Sequence, residues 1–171
     1  MIGVLTKAYG DETVAKMLEQ AKRNPNTEQF ATELQNEQIL AWALNGLTTD
    51  DVFTMLKLHD GGIEKLLTNP ALEVWYNFFN FLNHYNPDKD VHMITKVIGT
   101  YDDISLAKAI MAAKEDDAVQ PVVLSLQRAQ FQNWKRDGKA PAGIMEMTDD
   151  PGIVHVYKAY LFRSPQVAFG N

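Results

Sequence analysis

The chain has 171 residues, 46% of them apolar, with three Trp, eight Phe and six Tyr, which is enough to build a core and argues against a disordered chain. A net charge of −6 argues against nucleic acid or an anionic membrane as partner, because both demand clustered Lys and Arg. The absence of Cys removes disulfides, thiolate nucleophiles and Cys-based zinc sites. No apolar run is long enough to span a bilayer, and no charged stretch followed by a short apolar one opens the chain.

Spacing predicts helices from end to end. Val14, Met17, Leu18 and Ala21 stand at i, i+3, i+4 and i+7, one apolar stripe, with Asp11 and Glu12 where the helix dipole favours negative charge. Asn24-Pro25-Asn26 breaks that helix and Thr27 is placed to cap the next, which carries Ala31, Leu34, Gln38, Ala41 and Trp42 on one side. Gly46 falls where a glycine ends a helix. Thr48 and Thr49 begin a third helix with Val52, Met55 and Leu56 inward. Asp60-Gly61-Gly62 ends it, and Ile63 to Leu67 reads as one short further turn. Asn69-Pro70 pairs a capping residue with Pro at the first helical position. The helix behind it, through Leu72, Trp75, Phe78, Phe79 and Leu82, is the most aromatic stretch of the chain. Asn86-Pro87-Asp88 turns the chain, and Ile94, Val97, Ile98 and Tyr101 form the next stripe. Leu106, Ala109, Ile110 and Ala113 follow, then Val123, Leu126, Gln130 and Trp134, closed by Gly138. Ile144 and Met147 keep helical spacing. Asp150, Gly152 and Ile153 echo Asp60, Gly62 and Ile63, after which the echo fails: no Trp answers Trp75, and Phe169 is the nearest aromatic. Strand alternation is absent, so the chain is read as all-α.

The chain repeats itself. Tyr9, Ala15, Lys16, Ala21, Lys22, Leu34, Gln35, Gln38, Trp42 and Gly46 recur as Tyr101, Ala107, Lys108, Ala113, Lys114, Leu126, Gln127, Gln130, Trp134 and Gly138, every pair 92 positions apart without a gap. A period this long predicts a tandem array of helical-bundle modules that bury apolar faces against one another. Trp42 and Trp134 end long helices, where with Leu34, Leu126 and Tyr9 they are expected at the joints between modules.

These residues carry a resemblance. Leu47 through Leu58, then Leu66-Leu67, Asn69-Pro70 and Trp75, resemble the W motif of oomycete RXLR-type effectors. Tyr101-Asp102-Asp103 with Leu106-Ala107 and Ala113-Lys114 resembles their Y motif. Leu126-Gln127, Gln130 and Trp134 resemble the L motif, as do Leu34-Gln35, Gln38 and Trp42. The resemblance covers roughly residues 4–147 and implies tandem WY/LWY modules. Residues 1–23 would be the Y-motif helix of a preceding module, 24–115 a complete LWY unit, and 116–171 the L motif and degenerate W-motif region of the next. Trp75 and Tyr101 would pack across the core with Leu56, Phe79 and Leu82. The resemblance further implies a virulence effector that is secreted and then enters the host plant cell. There it would suppress immunity by binding host proteins, a phosphatase scaffold subunit being one candidate partner. Two readings of other kinds stand beside it: a helical-repeat adaptor unrelated to pathogenesis, and a helical-bundle enzyme.

Candidate chemistry is sparse. The carboxylate pairs Asp50-Asp51, Asp102-Asp103, Asp116-Asp117 and Asp149-Asp150 lie near helix ends, and neighbours on a helix point about 100° apart, so caps and solvated faces explain them better than acid–base work. Asn86, Asp88 and Asp90 begin like a calcium loop, but Val91 and Val97 replace the Gly and Glu that such a loop needs. His59, His84, His92 and His155 show no ligand spacing, and there is no phosphate loop and no GxSxG. No cofactor, metal or catalytic residue is therefore expected, and the chain reads as a non-enzyme. Phe53 to Leu56, Phe79 to Leu82 and Tyr101 to Ile104 have the aromatic-x-x-aliphatic form of a peptide that autophagy ubiquitin-like proteins bind. Such a peptide docks as a strand, and helical residues facing inward are not available for that.

Overall fold

A computed structural model describes residues 1–85, 97, 100–115 and 120–163. The Asn86-Asp88-Asp90 run, Ile94, Ile98, Asp116-Asp117 and Phe169 fall outside them. Among the described residues the regular structure is entirely α-helical: α1 Ile2–Tyr9, α2 Asp11–Lys22, α3 Glu28–Leu44, α4 Thr49–Met55, α5 Gly62–Leu67, α6 Ala71–Tyr85, α7 Asp103–Ala113, α8 Gln120–Arg136, α9 Pro141–Met147 and α10 Pro151–Arg163.

Local chemistry sets most of the boundaries. Thr48 and Asp51 form a capping box: the Asp51 N–H donates to Thr48 Oγ1 at 3.1 Å and the Thr48 N–H to Asp51 Oδ2 at 2.8 Å. Asp102 caps α7 by accepting from the Ser105 N–H at 2.9 Å. Gly46 and Gly138, at φ 72° and 69°, supply the left-handed residue that closes α3 and α8. Thr27 departs from expectation. Its hydroxyl turns back to donate to the Ala21 carbonyl at 2.6 Å, which fastens the end of α2 instead of capping α3.

Helix boundaries recur at one offset. The α3 and α8 helices, each 17 residues, begin 92 positions apart at Glu28 and Gln120. The α4 and α9 helices, each 7 residues, begin 92 apart at Thr49 and Pro141. Past Met147 the two halves diverge. No helix matches α5, and the chain passes through Thr148 straight into α10. Asp150, Gly152 and Ile153 are thus not a second Asp60, Gly62 and Ile63. They start a helix that takes the place of α6. The capping repeats: the Asp150 N–H donates to Thr148 Oγ1 at 3.1 Å as the Ala71 N–H does to Asn69 Oδ1 at 3.0 Å. Tyr157, 79 positions after Phe78, meets Trp134 edge-on at 5.1 Å as Phe78 meets Trp42 at 5.7 Å. Val154 then stands in the register of Trp75. The aromatic that answers the first half is Tyr157.

Three apolar clusters follow from this arrangement. The largest gathers Phe53, Leu56, Leu72, Trp75 and Phe78 with Trp42 from α3 and Leu126 from α8. Phe79, Leu82 and Tyr101 are partly buried at its edge. A second holds Phe131, Trp134, Ile144, Ile153, Val154 and Tyr157. A small third joins Ile2 of α1 to Val14, Leu18, Ala31 and Leu34. The α8 helix is common to two of them: its first half is buried in the large cluster and its second half, from Phe131, in the next. The Tyr76 hydroxyl, 2.7 Å from Ser125 Oγ, ties α6 to α8 at this seam.

Candidate functional site

Among the described residues, the buried amides of Gln38 and Gln130 and the buried indoles of Trp42 and Trp134 belong to a matched pair of clamps. In the first half, Trp42 Nε1 donates to Asp11 Oδ1 at 2.8 Å, and Gln38 Nε2 donates to the Asp11 carbonyl at 3.1 Å. In the second, Trp134 Nε1 donates to Asp103 Oδ2 at 2.6 Å, and Gln130 Nε2 to the Asp103 carbonyl at 2.6 Å and to its Oδ1 at 2.7 Å. Every residue of one clamp is 92 positions from its mate. An Asp at the first residue of a helix thus holds the indole and amide of the next long helix, closing each helical hairpin. The second clamp includes one more group, a cation: Lys139 Nζ lies 2.7 Å from Asp103 Oδ2, and the Lys139 carbonyl accepts the Tyr157 hydroxyl at 2.9 Å. Leu47 occupies the matching position in the first half.

Sequence reading assigned Asp102-Asp103 to helix-end caps and solvated faces. Asp102 is such a cap; Asp103 is the hub of a part-buried network. The signal was present, since Asp11 and Asp103 share the offset of the ten pairs above, but which donors a carboxylate meets depends on residues 27 to 36 positions away. Tyr157 and Lys139 carried no sequence signal at all.

The expected core and joint residues distribute as follows. Trp75 and Leu56 are fully buried, while Phe79 and Leu82 are half-buried at the rim of the same cluster. Trp42 and Trp134 are buried in their clamps, and Leu34 and Leu126 are buried in different clusters. Tyr9, which ends α1 just before Gly10 turns the chain, is 59% exposed. Tyr101 is half-buried against the large cluster, and its hydroxyl has no hydrogen-bond partner among the described residues; burial pushes its pKa up. Of the aromatic-x-x-aliphatic stretches, Phe53 and Leu56 are buried and hence closed to strand docking.

One half-buried acid stands apart. Glu73 on α6 faces Glu19 and Lys22 of α2, and its Oε2 is buried without a hydrogen-bond partner among the described residues. Lys22 Nζ is engaged by Glu19 at 2.8 Å and by Gln35 Oε1. Burial, reinforced by Glu19, raises the Glu73 pKa above its ordinary value. A raised acid pKa means that the folded state binds the proton more tightly than the unfolded one. Its penalty is therefore absent below the ordinary carboxylate range and grows as pH rises through the folded pKa. Glu73→Gln is expected to raise the urea midpoint at pH 7, with the gain shrinking at pH 4. A variant less stable than the parent at pH 7 would refute the assignment.

A cavity of about 500 Å³ between α5 and α7 is lined by Ile63, Leu67, Ala109 and Ala112, with Ser105 and Lys108 at its rim. Lys108 donates to Asp149 at 2.7 Å, which raises its pKa, the opposite of what a nucleophilic amine needs. Among the described residues no cluster of His, Asp and Glu could hold a metal, and no helix is long and apolar enough to cross a membrane.

No model of a known protein family matches the chain. It is similar to the RxLR effector protein PSR2 of Phytophthora sojae, 33% identical over 141 residues, which covers 82% of this chain and 21% of that protein. The RxLR effector protein PexRD25 of Phytophthora infestans is 30% identical over 136 residues, 78% of this chain and 44% of that one. RxLR effector protein CRE15 of the same species is 36% identical over 113 residues, 66% of this chain and 32% of that protein. The chain thus spans about a fifth of PSR2 and under half of each relative named. Among solved structures, the crystal structure of PcRxLR12 superposes with a TM-score of 0.80 at 30% identity, over 100% of this chain and 44% of that one. Shared sequence over most of its length and a shared helical fold together mean that this chain belongs to the RxLR effector family.

Proposed function

We propose that the protein is a secreted virulence effector that works inside plant cells, suppressing immunity by binding host proteins stoichiometrically. The similarity to PSR2 over 82% of the chain is the observation that carries this reading. Residues 24–115 form one complete LWY unit, 1–23 the closing Y-motif helix of the unit before, and 116–171 the L motif and a shortened W-motif region of the unit after. Trp42 and Trp134, with Leu34 and Leu126, act at the joints. Helix boundaries and clamps recurring 92 residues apart support the array. A stiff array suits this work because packing residues and surface residues are separable. The mechanism is presentation of a surface, with no catalytic group assigned.

Affinity purification from leaf tissue expressing the tagged chain, read by mass spectrometry beside an assay of the elicitor-triggered oxidative burst, tests the proposal. Enrichment of specific plant proteins and a damped burst are expected. No enrichment over a charge-matched helical control, with a normal burst, would overturn it. A phosphatase scaffold subunit is the first partner to try: the purified subunit should co-elute with the chain in gel filtration, and separate elution removes that partner.

A further inference from the structure

Where α2, α3 and α6 meet, the first half sinks two acids around one base. The Glu19 side chain is 13% exposed and that of Lys22 22%. Lys22 Nζ donates to Glu19 Oε1 at 2.8 Å and to Gln35 Oε1. Gln35 is buried, and its own Nε2 has no partner among the described residues. Glu73 comes to this group from α6, with its Oε2 buried and unbonded among the described residues. The α6 helix packs on α2, α3, α4 and α8. From α2, Glu19 and Lys22 act on Glu73; among the described residues no charged side chain of α3, α4 or α8 does. With both acids ionised, one lysine faces two carboxylates and the cluster keeps a net negative charge. One proton brings it to zero.

The second half builds the same seam without acids. Glu19, Lys22 and Gln35 are answered 92 positions on by Met111, Lys114 and Gln127. Glu73 is answered by Gly152, at the offset of 79 that also relates Phe78 to Tyr157. There Gln127 Nε2 lies 3.7 Å from Met111 Sδ, and the Met111 methyl stands 3.3 Å from where a Cβ on Gly152 would be. Lys114 turns to Glu115 at 3.9 Å. Helix packing at this seam therefore requires neither acid. An ionised group withheld from water without a full counter-charge costs free energy, and binding a proton removes that cost.

We propose that Glu19, Lys22, Gln35 and Glu73 form a proton-operated latch on the seam between α2 and α6. While the two carboxyls hold one proton between them, the cluster is neutral and the seam is closed. Loss of that proton sets two carboxylates against each other over one lysine, and α2 loosens from α6. The sign follows from linkage. The closed seam holds the proton more tightly than an open, hydrated one, so closure is favoured at low pH and weakens as pH rises through the closed-state pKa. The direction for Glu73 agrees: burial first, then Glu19, pushes its pKa up. The latch acts on the first half alone, since Met111 and Gly152 leave the matching seam nothing to titrate. It goes beyond the effector reading and does not depend on it.

Hydrogen exchange of the full chain tests the latch, followed amide by amide from about pH 5 to about pH 8 and corrected for the intrinsic chemical rate. Protection of the α2 amides is expected to fall on the order of threefold or more as pH rises, while that of α7, packed on α10 without an acid pair, stays level. Glu73→Gln should remove the step and keep α2 protected throughout. Glu19→Gln should do the same, because Lys22 then balances Glu73. The proposal is overturned by a flat profile in the parent, by a step that persists in either variant, by an equal step in α7, or by α2 protection that rises with pH. No plant protein enters the measurement, so a failed latch leaves the effector reading standing, and a failed capture of plant proteins leaves the latch standing.

Discussion

Trp75→Ala is expected to cost about 3–5 kcal/mol, the range for deleting a large aromatic from a packed core, against a total stability of about 5–15 kcal/mol. The ring is 1% exposed, meets Phe53 edge-on at 5.1 Å and lies 6.2 Å from Phe79. Its Nε1 donates to the Thr49 carbonyl at 2.8 Å, so it also anchors the start of α4 to α6. With a urea slope of roughly 2 kcal/mol per molar, the midpoint should fall by about 2 M. Far-UV circular dichroism is the probe of choice, since the substitution removes one of three indoles. Trp75→Phe keeps most of the packing and loses the N–H, and should cost less than half as much. A midpoint that hardly moves in the alanine variant would mean that the ring is not at the centre of the core.

Asp103→Ala should rank second, at about 3–4 kcal/mol. The substitution strips the acceptor from Trp134 and Lys139 and leaves Gln130 only the backbone carbonyl. Trp134 and Gln130 are buried, and a buried donor left unpaired costs about 1–3 kcal/mol. Asp11→Ala should cost less, about 2 kcal/mol, because Leu47 replaces the lysine there and Gln38 lies farther off, 3.4 Å from Asp11 Oδ1. The order of the two variants is the sharper test. Urea titrations in which Asp11→Ala proves the more damaging would show that Lys139 adds nothing to its clamp. Two variants as stable as the parent would show that both clamps are passive.

The helices were legible because each is written locally. Stripes at i, i+3 and i+4, the Thr48 capping position, Asn69-Pro70 and the glycines at 46 and 138 act through neighbours in the chain. Family membership was legible for a related reason, since an ungapped register of 92 residues fixes the order of many weak signals at once. Thr27 misled because its hydroxyl had two helix ends within reach and took the preceding one. The C-terminal echo misled because Gly152 and Ile153 imitate Gly62 and Ile63 in type only; the absent α5 counterpart moves the frame by thirteen residues.

What the sequence determined by itself is therefore the helical class, most helix ends, the long repeat and the kinship with RxLR effectors. Tertiary structure alone decided that Asp103 is a part-buried hub and Asp102 a cap, that Tyr157 serves where Phe78 does, and that Leu40 and Leu44 of α3 face outward. The physical reason is range. A helix forms from interactions within about four residues along the chain, whereas a carboxylate's donors and the neighbour that covers an apolar face arrive from elsewhere in the fold, at positions that spacing alone does not fix.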